Sequence, residues 1–283
     1  MKKLLGILVV ALFVGALIYN FKVQDLKLHL CSDKYSDLYK NRKLKLSIFF
    51  GYKDARPARF VADFYEKLQL IDRIGKQCGL GQKFCDFKWD PKNESYTKRI
   101  KVKAGYWVDV MISVHSSSVS PDDDKNQSFN YQSWISDRVK EQFKHELQNS
   151  DVVFYNGHSR SGGGPDFHPP ILSKTNMVKM DPYKENREGL KHMAESIASR
   201  SSGQLKLLGL FSCVSETYFI DELKKAQKGL GFIVSKDLLY QADSFKNLVS
   251  SVEALLDEKC EDDFNKALNE QDPLKGSRIV NFF

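Results

Sequence analysis

The stretch that decides the fold is DVVFYNGHSRSGGGPDF, residues 151–167. Its apolar residues 152–155 form an unbroken run, and such a run predicts a strand that is buried on both faces of a sheet. His158 follows three positions after the run, and the loop beyond it contains three consecutive glycines. A titratable ring beside so little side-chain bulk predicts a functional group at the carboxyl end of a buried strand.

Strands and helices alternate on either side of this stretch. Apolar runs predict further strands at 43–51, 106–117, 204–212 and 231–235, and SRIVNFF predicts a last strand at 277–283. Helical spacing of apolar residues predicts helices between the strands, and one helix carries Phe60, Phe64, Leu68 and Ile71. Alternation of this kind predicts an α/β fold with a mostly parallel sheet flanked by helices on both faces.

The predicted α/β domain extends over residues 44–283 and contains one irregular segment. Residues 73–98 break the alternation with Gly, Lys and Cys, which predicts an insertion, and VSPDDDKNQS at 119–128 predicts an exposed acidic loop. No internal repeat or low-complexity stretch divides the remainder. The sequence therefore predicts a single domain.

The N-terminal residues 1–23 predict a membrane anchor or a signal segment. Two lysines precede an uncharged apolar run at 4–21, which is about the length that a helix needs to cross a bilayer. The run lacks the small residues typical of a cleavage site, which favours an uncleaved anchor over a cleaved signal. Residues 24–43 then form a linker, and the domain is exported to the periplasm or the extracellular space. A cleaved segment would make the protein secreted instead.

The charge pattern argues against a nucleic-acid partner. The chain has 43 basic and 36 acidic residues, a formal charge of +7, and both signs are mixed along its length. A nucleic-acid-binding surface needs a concentrated basic patch, and none is evident here. The oligomeric state does not follow from the sequence.

The redox state expected of the five cysteines depends on the compartment that the domain occupies. In an oxidising compartment an even set pairs and the odd cysteine remains a thiol. Cys78 and Cys85 bracket the short segment GLGQKF and form the favoured disulfide; Cys31 and Cys260 are the other candidates, and Cys213 is expected to stay free. If the domain faced the cytoplasm, all five would be reduced.

A second apolar run places this cysteine beside the histidine. Cys213 follows QLKLLGLFS as His158 follows DVVFYN, and in open parallel sheets sites form beyond the carboxyl ends of the strands. A thiol beside an imidazole is typical of acyl transfer through a thioester. Ser215 is predicted to cap a helix that begins near Glu216, and the glycines after His158 allow close approach of a substrate backbone.

The two blocks YNGHS and FSCVS resemble the caspase-hemoglobinase class (clan CD) of cysteine peptidases, and are most similar to its gingipain and CHAT-like bacterial members. The resemblance implies a caspase-like fold and a polypeptide substrate. It also implies that Cys213 is the nucleophile and that His158 assists proton transfer to the leaving amine. No cofactor is expected.

The resemblance extends to the oxyanion hole and the specificity pocket, with two departures. The family has Gly after the histidine, whereas this chain has Ser159, so the backbone N–H groups of Gly157, Ser159 and Cys213 are the candidate oxyanion donors. Relatives that cleave after basic residues carry an acidic residue shortly before the cysteine. Here Phe211 stands in that region, and Asp166 with Phe211 are the candidate pocket residues.

The sequence raises two other chemistries, a metal site and a nucleotide site, and one other function. His158, Asp166 and His168 could supply metal ligands, but their spacing matches no motif, so no metal is expected. SGGG lacks the lysine of a phosphate-binding loop, so no nucleotide cofactor is expected either. The alternative function is a catalytically inactive domain of the same fold that binds a partner protein at the membrane.

Overall fold

A computed structural model describes residue 19 and residues 22–53, 61–128, 130–200, 205–269 and 276–283. Within these ranges eight strands form one sheet in the order β2-β3-β4-β1-β5-β6-β7-β8. The strands are β1 (Lys43–Phe50), β2 (Lys88–Asp90), β3 (Ser95–Lys101), β4 (Trp107–Ser116), β5 (Val152–Asn156), β6 (Leu207–Phe211), β7 (Gly231–Ser235) and β8 (Ser277–Val280). The five strands from β4 to β7 in this order are parallel. The hairpin β2-β3 and the strand β8 add antiparallel edges.

Helices cover both faces of this sheet. They are α1 (22–38), α2 (Ala62–Gly75), α3 (Asp123–Ser128), α4 (Asn130–Asn149), α5 (Asp181–Asn186), α6 (Glu188–Ala198), α7 (Ser215–Ala226), α8 (Gln241–Leu256) and α9 (Glu261–Leu268). The core residues of α1, α2, α8 and α9 belong to one apolar cluster, and those of α4, α6 and α7 belong to a second.

The strands supply alternate residues to the two clusters. Val152 and Phe154 of β5 belong to the first cluster, and Val153 and Tyr155 belong to the second. This division follows from the two-residue period of a strand, and it explains why the first four positions of β5 are all apolar. The predicted α/β fold, with a mostly parallel sheet flanked by helices, is confirmed.

The edge hairpin β2-β3 begins within residues 73–98, the range predicted as an insertion, and ends three residues beyond it. Only Ser95 and Ile100 of β3 are buried, so the strand has no regular alternation of apolar and polar residues. The acidic loop predicted at 119–128 is also partly ordered, because residues from Asp123 onward form α3 and Asp123 itself is buried. Polar sequences form regular structure here because neighbouring elements satisfy their hydrogen bonds.

Residues 24–38, within the range predicted as a linker, belong to α1. Tyr35, Leu38 and Tyr39 are buried in the first cluster, and Cys31 is joined to Cys260 by a disulfide. Most of α1 nevertheless faces solvent, which explains why its composition resembles that of a linker. The segment packs as part of the domain.

The buried face of α2 differs from the predicted one. Leu68 is 48% exposed, and the buried residues are Asp63, Glu66, Leu70 and Ile74. Phe60, the first member of the predicted apolar stripe, lies outside the described residues. Two carboxylates on the buried face obscure the helical pattern that apolar residues alone would give.

The run proposed to cross the membrane, 4–21, lies outside the described residues except for Tyr19. No helix in the described ranges is both long enough and apolar enough to cross a bilayer.

Candidate active site

The pairing of β5 with β6 sets the positions of the two candidate catalytic residues. Asn156 is the register partner of Phe211, and both are the last residues of their strands. His158 and Cys213 each follow two positions later, at the same edge of the sheet. Because neighbouring strands lie about 4.8 Å apart, the fold brings an imidazole and a thiol to one rim.

Tyr155 fixes the turn that carries His158. Its hydroxyl donates to the carbonyl of His158 at 3.1 Å and accepts the N–H of Asp166 at 3.0 Å. A Cβ atom on Gly157 would lie only 2.2 Å from this hydroxyl oxygen, so the turn requires glycine at that position. The ring of Tyr155 is fully buried, and the turn therefore rests on a rigid support.

The loop after His158 is held in an unusual backbone conformation. Arg160 and Ser161 have φ values of 47° and 53°, in the left-handed region that non-glycine residues rarely adopt. A buried ion pair compensates, because the guanidinium of Arg160 donates to the Asp166 carboxylate at 2.8 Å. Backbone strain of this kind is concentrated at functional sites.

The turn that carries Cys213 is strained as well. Val214 has a φ of 53°, and this conformation is a genuine outlier for a β-branched residue. Its N–H donates to the carbonyl of Asp237 at 2.9 Å, and the Cys213 thiol lies 3.6 Å from the carbonyl oxygen of Leu239. The segment 236–240, which follows β7, therefore holds both residues. Cys213 is partly exposed and is the one free thiol among the five cysteines.

Ser215 does not cap the helix after Cys213 as the sequence predicts. It is the first residue of α7, and its hydroxyl donates to the Leu210 carbonyl at 2.8 Å and accepts the Ser235 N–H at 2.9 Å. Val214 occupies the N-cap position and supplies no side-chain acceptor. Ser215 therefore joins the ends of β6 and β7, while the amino end of α7 stays open beside Cys213.

The three predicted oxyanion donors differ in whether their N–H groups are already bonded. The backbone N–H groups of Ser159 and Cys213 donate to no residue within the described ranges. The N–H of Gly157 instead donates to the carbonyl of Phe211 at 3.3 Å and extends the β5-β6 ladder, so it is not available to an oxyanion. The remaining pair comes from the same two turns that carry the imidazole and the thiol.

The two residues predicted for the specificity pocket have other roles. Phe211 is 0% exposed and packs edge-on against Phe154 with the ring centres 5.4 Å apart. Asp166 is neutralised by Arg160 and accepts the His168 N–H at 3.2 Å. Phe211 has no surface exposed to a substrate, whereas Asp166 lines a surface cavity, and its place in a specificity pocket stays a prediction.

The three residues considered as metal ligands also have separate partners. His168 Nε2 lies 3.0 Å from a carboxylate oxygen of Asp137, whereas Asp166 pairs with Arg160. The described part of the chain brings no three metal-ligating side chains together.

A buried polar network next to the rim was missed by sequence reasoning. Lys53 is 2% exposed, and its ammonium donates to Glu66 Oε2 at 2.8 Å, Asn156 Oδ1 at 2.7 Å and Ser244 Oγ at 3.2 Å. Burial raises the pKa of Glu66, and the nearby Lys53 charge opposes the rise. The available signal was a lysine directly after a strand, followed by two carboxylates spaced for one helical face.

Asp63 forms the second half of this network. Its carboxylate accepts the Lys53 N–H at 3.0 Å, the Ser116 hydroxyl at 2.9 Å and the Ser118 hydroxyl at 2.8 Å. Complete burial nevertheless raises its pKa to about 6. The network thus joins α2 to the ends of β1 and β4.

No family model matches this chain, and no curated protein matches it significantly.

Proposed function

We propose that this protein is a cysteine endopeptidase of the caspase-hemoglobinase type, with Cys213 as nucleophile and His158 as its proton-transfer partner. The observation that carries the proposal is the matched placement of these residues, each two positions beyond paired strand ends. The strained turns, the open amino end of α7 and the two N–H groups at the same rim support it further. The parallel order β4-β1-β5-β6-β7 agrees with the fold that the resemblance implies.

The reaction follows from the chemistry of these groups. The Cys213 thiolate attacks the carbonyl carbon of a peptide bond, and the N–H groups of Ser159 and Cys213 donate to the oxygen that becomes negative. The C–N bond then breaks, and the imidazolium of His158 gives its proton to the leaving amine. Water hydrolyses the resulting thioester, which releases the carboxylic acid and regenerates the thiol.

In the structure the Cys213 thiol is protonated and donates to the Leu239 carbonyl, and we take this as the resting state of the site. With Cys213 Sγ 3.6 Å from the carbonyl oxygen, the thiol proton is directed toward that oxygen. A thiolate would be repelled by the same oxygen. We therefore infer that the segment 236–240 shifts away from the sulfur when His158 takes the proton.

We also propose an exported location with the chain anchored by residues 4–21. The two disulfides, Cys31–Cys260 and Cys78–Cys85, support this because disulfides persist in oxidising compartments. The substrate is then a polypeptide outside the cytoplasm.

The test of the function is hydrolysis of an unfolded protein substrate by the wild type and three variants. Cys213→Ala should abolish hydrolysis, and His158→Ala should lower kcat by about 100-fold or more. His168→Ala is the matched control, because this ring lies in the same loop but bonds to Asp137; it should retain near wild-type activity. A folded wild-type protein with no Cys213-dependent hydrolysis, after trial of proteolytic activation, would exclude the peptidase.

A further inference from the structure

The Lys53 ammonium lies between the end of β5, which leads to His158, and the first turn of α8, which follows the segment 236–240 that contacts Cys213. On one side it donates to Asn156, the residue that ends β5 two positions before His158. On the other side it donates to Ser244, which lies in the first turn of α8. All three ammonium protons have acceptors, since Glu66 takes the third.

The Asn156 side of this bridge is held at several points. The side-chain amide of Asn156 also donates to Glu66 Oε2 at 3.2 Å, and the backbone carbonyl of Asn156 accepts the Gly51 N–H at 3.0 Å. The side chain and the backbone of the strand end are therefore both fixed. His158 begins its turn from this fixed point.

The Ser244 side leads to Cys213 through a short segment. Residues 236–240 connect β7 to α8, and their carbonyls contact Val214 N–H and the Cys213 thiol. The Ser244 hydroxyl also donates to the Gln241 carbonyl at 2.8 Å, which fixes the first turn of α8. A movement of α8 relative to β5 would therefore move the cover of the thiol relative to the imidazole.

Stability alone does not account for a buried lysine at this place. A buried ion pair is often no more stabilising than apolar side chains of similar volume, because both charges lose hydration. The distinctive contribution of the lysine is that its ammonium nitrogen donates directional hydrogen bonds to three elements, α2, β5 and α8.

We propose that Lys53 is a positioning residue for the dyad, and that it sets the location of the β5 end relative to the segment 236–240. The proposal rests on the proposed peptidase function. Lys53 is shielded from solvent and from substrate, so it acts through Asn156 and Ser244 and takes no part in the chemical steps.

The test uses variants that separate positioning from folding. Lys53→Met alone would leave Glu66 buried without its counter-charge, so the main variant is Lys53→Met/Glu66→Met, which removes both charges together. Ser244→Ala is a milder variant that deletes one bond of the bridge. Lys98→Met is the matched control, since Lys98 also donates to buried groups, the carbonyls of Lys83 and Cys85, but lies far along the chain from the rim.

Two measurements are made on each folded variant. Hydrogen–deuterium exchange should rise in residues 156–160 and 236–240 of the double variant and stay unchanged in the central strands. Hydrolysis should show kcat reduced by about 10- to 100-fold with KM nearly unchanged, because misplaced groups slow the chemical step without removing substrate contacts. Ser244→Ala should show smaller changes in the same direction, and Lys98→Met should show none at the rim.

The outcomes separate the two hypotheses. If the double variant keeps wild-type kcat and wild-type exchange in both segments, the positioning role is overturned while the peptidase stands. If the wild type shows no Cys213-dependent hydrolysis, the peptidase is excluded and the positioning role with it, whatever the exchange. Should the double variant not fold, Ser244→Ala decides: wild-type kcat and exchange in that variant overturn the bridge.

Discussion

At the scale of single residues, two positions beside the proposed dyad show how tightly the backbone is constrained at the ends of β5 and β6. Gly157 is one of them, because a Cβ atom there would lie 2.2 Å from the buried Tyr155 hydroxyl. Val214 is a β-branched residue in a left-handed conformation next to Cys213, the proposed nucleophile. Both positions lie directly beside a residue of the proposed dyad, and the strain at Val214 is of the kind that is concentrated at functional sites.

Gly157→Ala should lower the free energy of unfolding by about 1–3 kcal/mol, the usual cost of overpacking a rigid interior. Gly75→Ala is the control, because a Cβ atom there meets no atom within 4 Å. Urea denaturation of both variants measures the effect. Equal midpoints for the two variants would mean that Tyr155 does not support the turn.

At the scale of elements, α2 shows how a helix can be buried through its carboxylates. Asp63 is completely buried and has a pKa raised to about 6, above its ordinary value of 3.8, because burial disfavours its charge. The native state therefore binds the proton more tightly than the unfolded state. The resulting stabilisation is complete below about pH 4 and is lost as the pH rises through 6.

Asp63→Asn should remove this pH dependence, because an amide does not titrate. The difference in unfolding free energy between wild type and variant should change by about 2 kcal/mol from pH 4 to pH 6. The direction is a wild type that loses stability, relative to the variant, as the pH rises. Glu66 has a raised pKa in the same network, and taking the difference between the two proteins separates its titration. Parallel profiles would show that Asp63 titrates as an exposed carboxyl.

At the scale of the whole molecule, the elements that could be predicted are those that a local apolar pattern identifies. The central strands are buried on both faces, so their apolar runs identify them, and the strand ends then place His158 and Cys213 on one rim. The β2-β3 hairpin and α1 could not be found this way, because little of either is buried. The use of the Gly157 N–H depends on strand register, and the Lys53 network depends on contacts between residues up to 191 positions apart. Neither is visible in a local pattern.

The two disulfides and the proposed anchor lead to a prediction about the location of the domain in its host. If the domain is exported, external protease should digest it in cells whose outer layers are open, and the Cys31–Cys260 disulfide should be present in protein isolated under acid quench. Protection from the protease, together with free thiols at both positions, would place the domain on the cytoplasmic side.

The central claim is that the paired ends of β5 and β6 place the His158 imidazole where it takes the proton of the Cys213 thiol. The rate of Cys213 alkylation by iodoacetamide at neutral pH tests this claim most directly. Only the thiolate reacts, so a base that takes the proton raises the rate. We predict that His158→Ala lowers the rate constant at Cys213 by about tenfold or more, while His168→Ala leaves it within about twofold of the wild type. Equal rates for the wild type and folded His158→Ala would contradict the account.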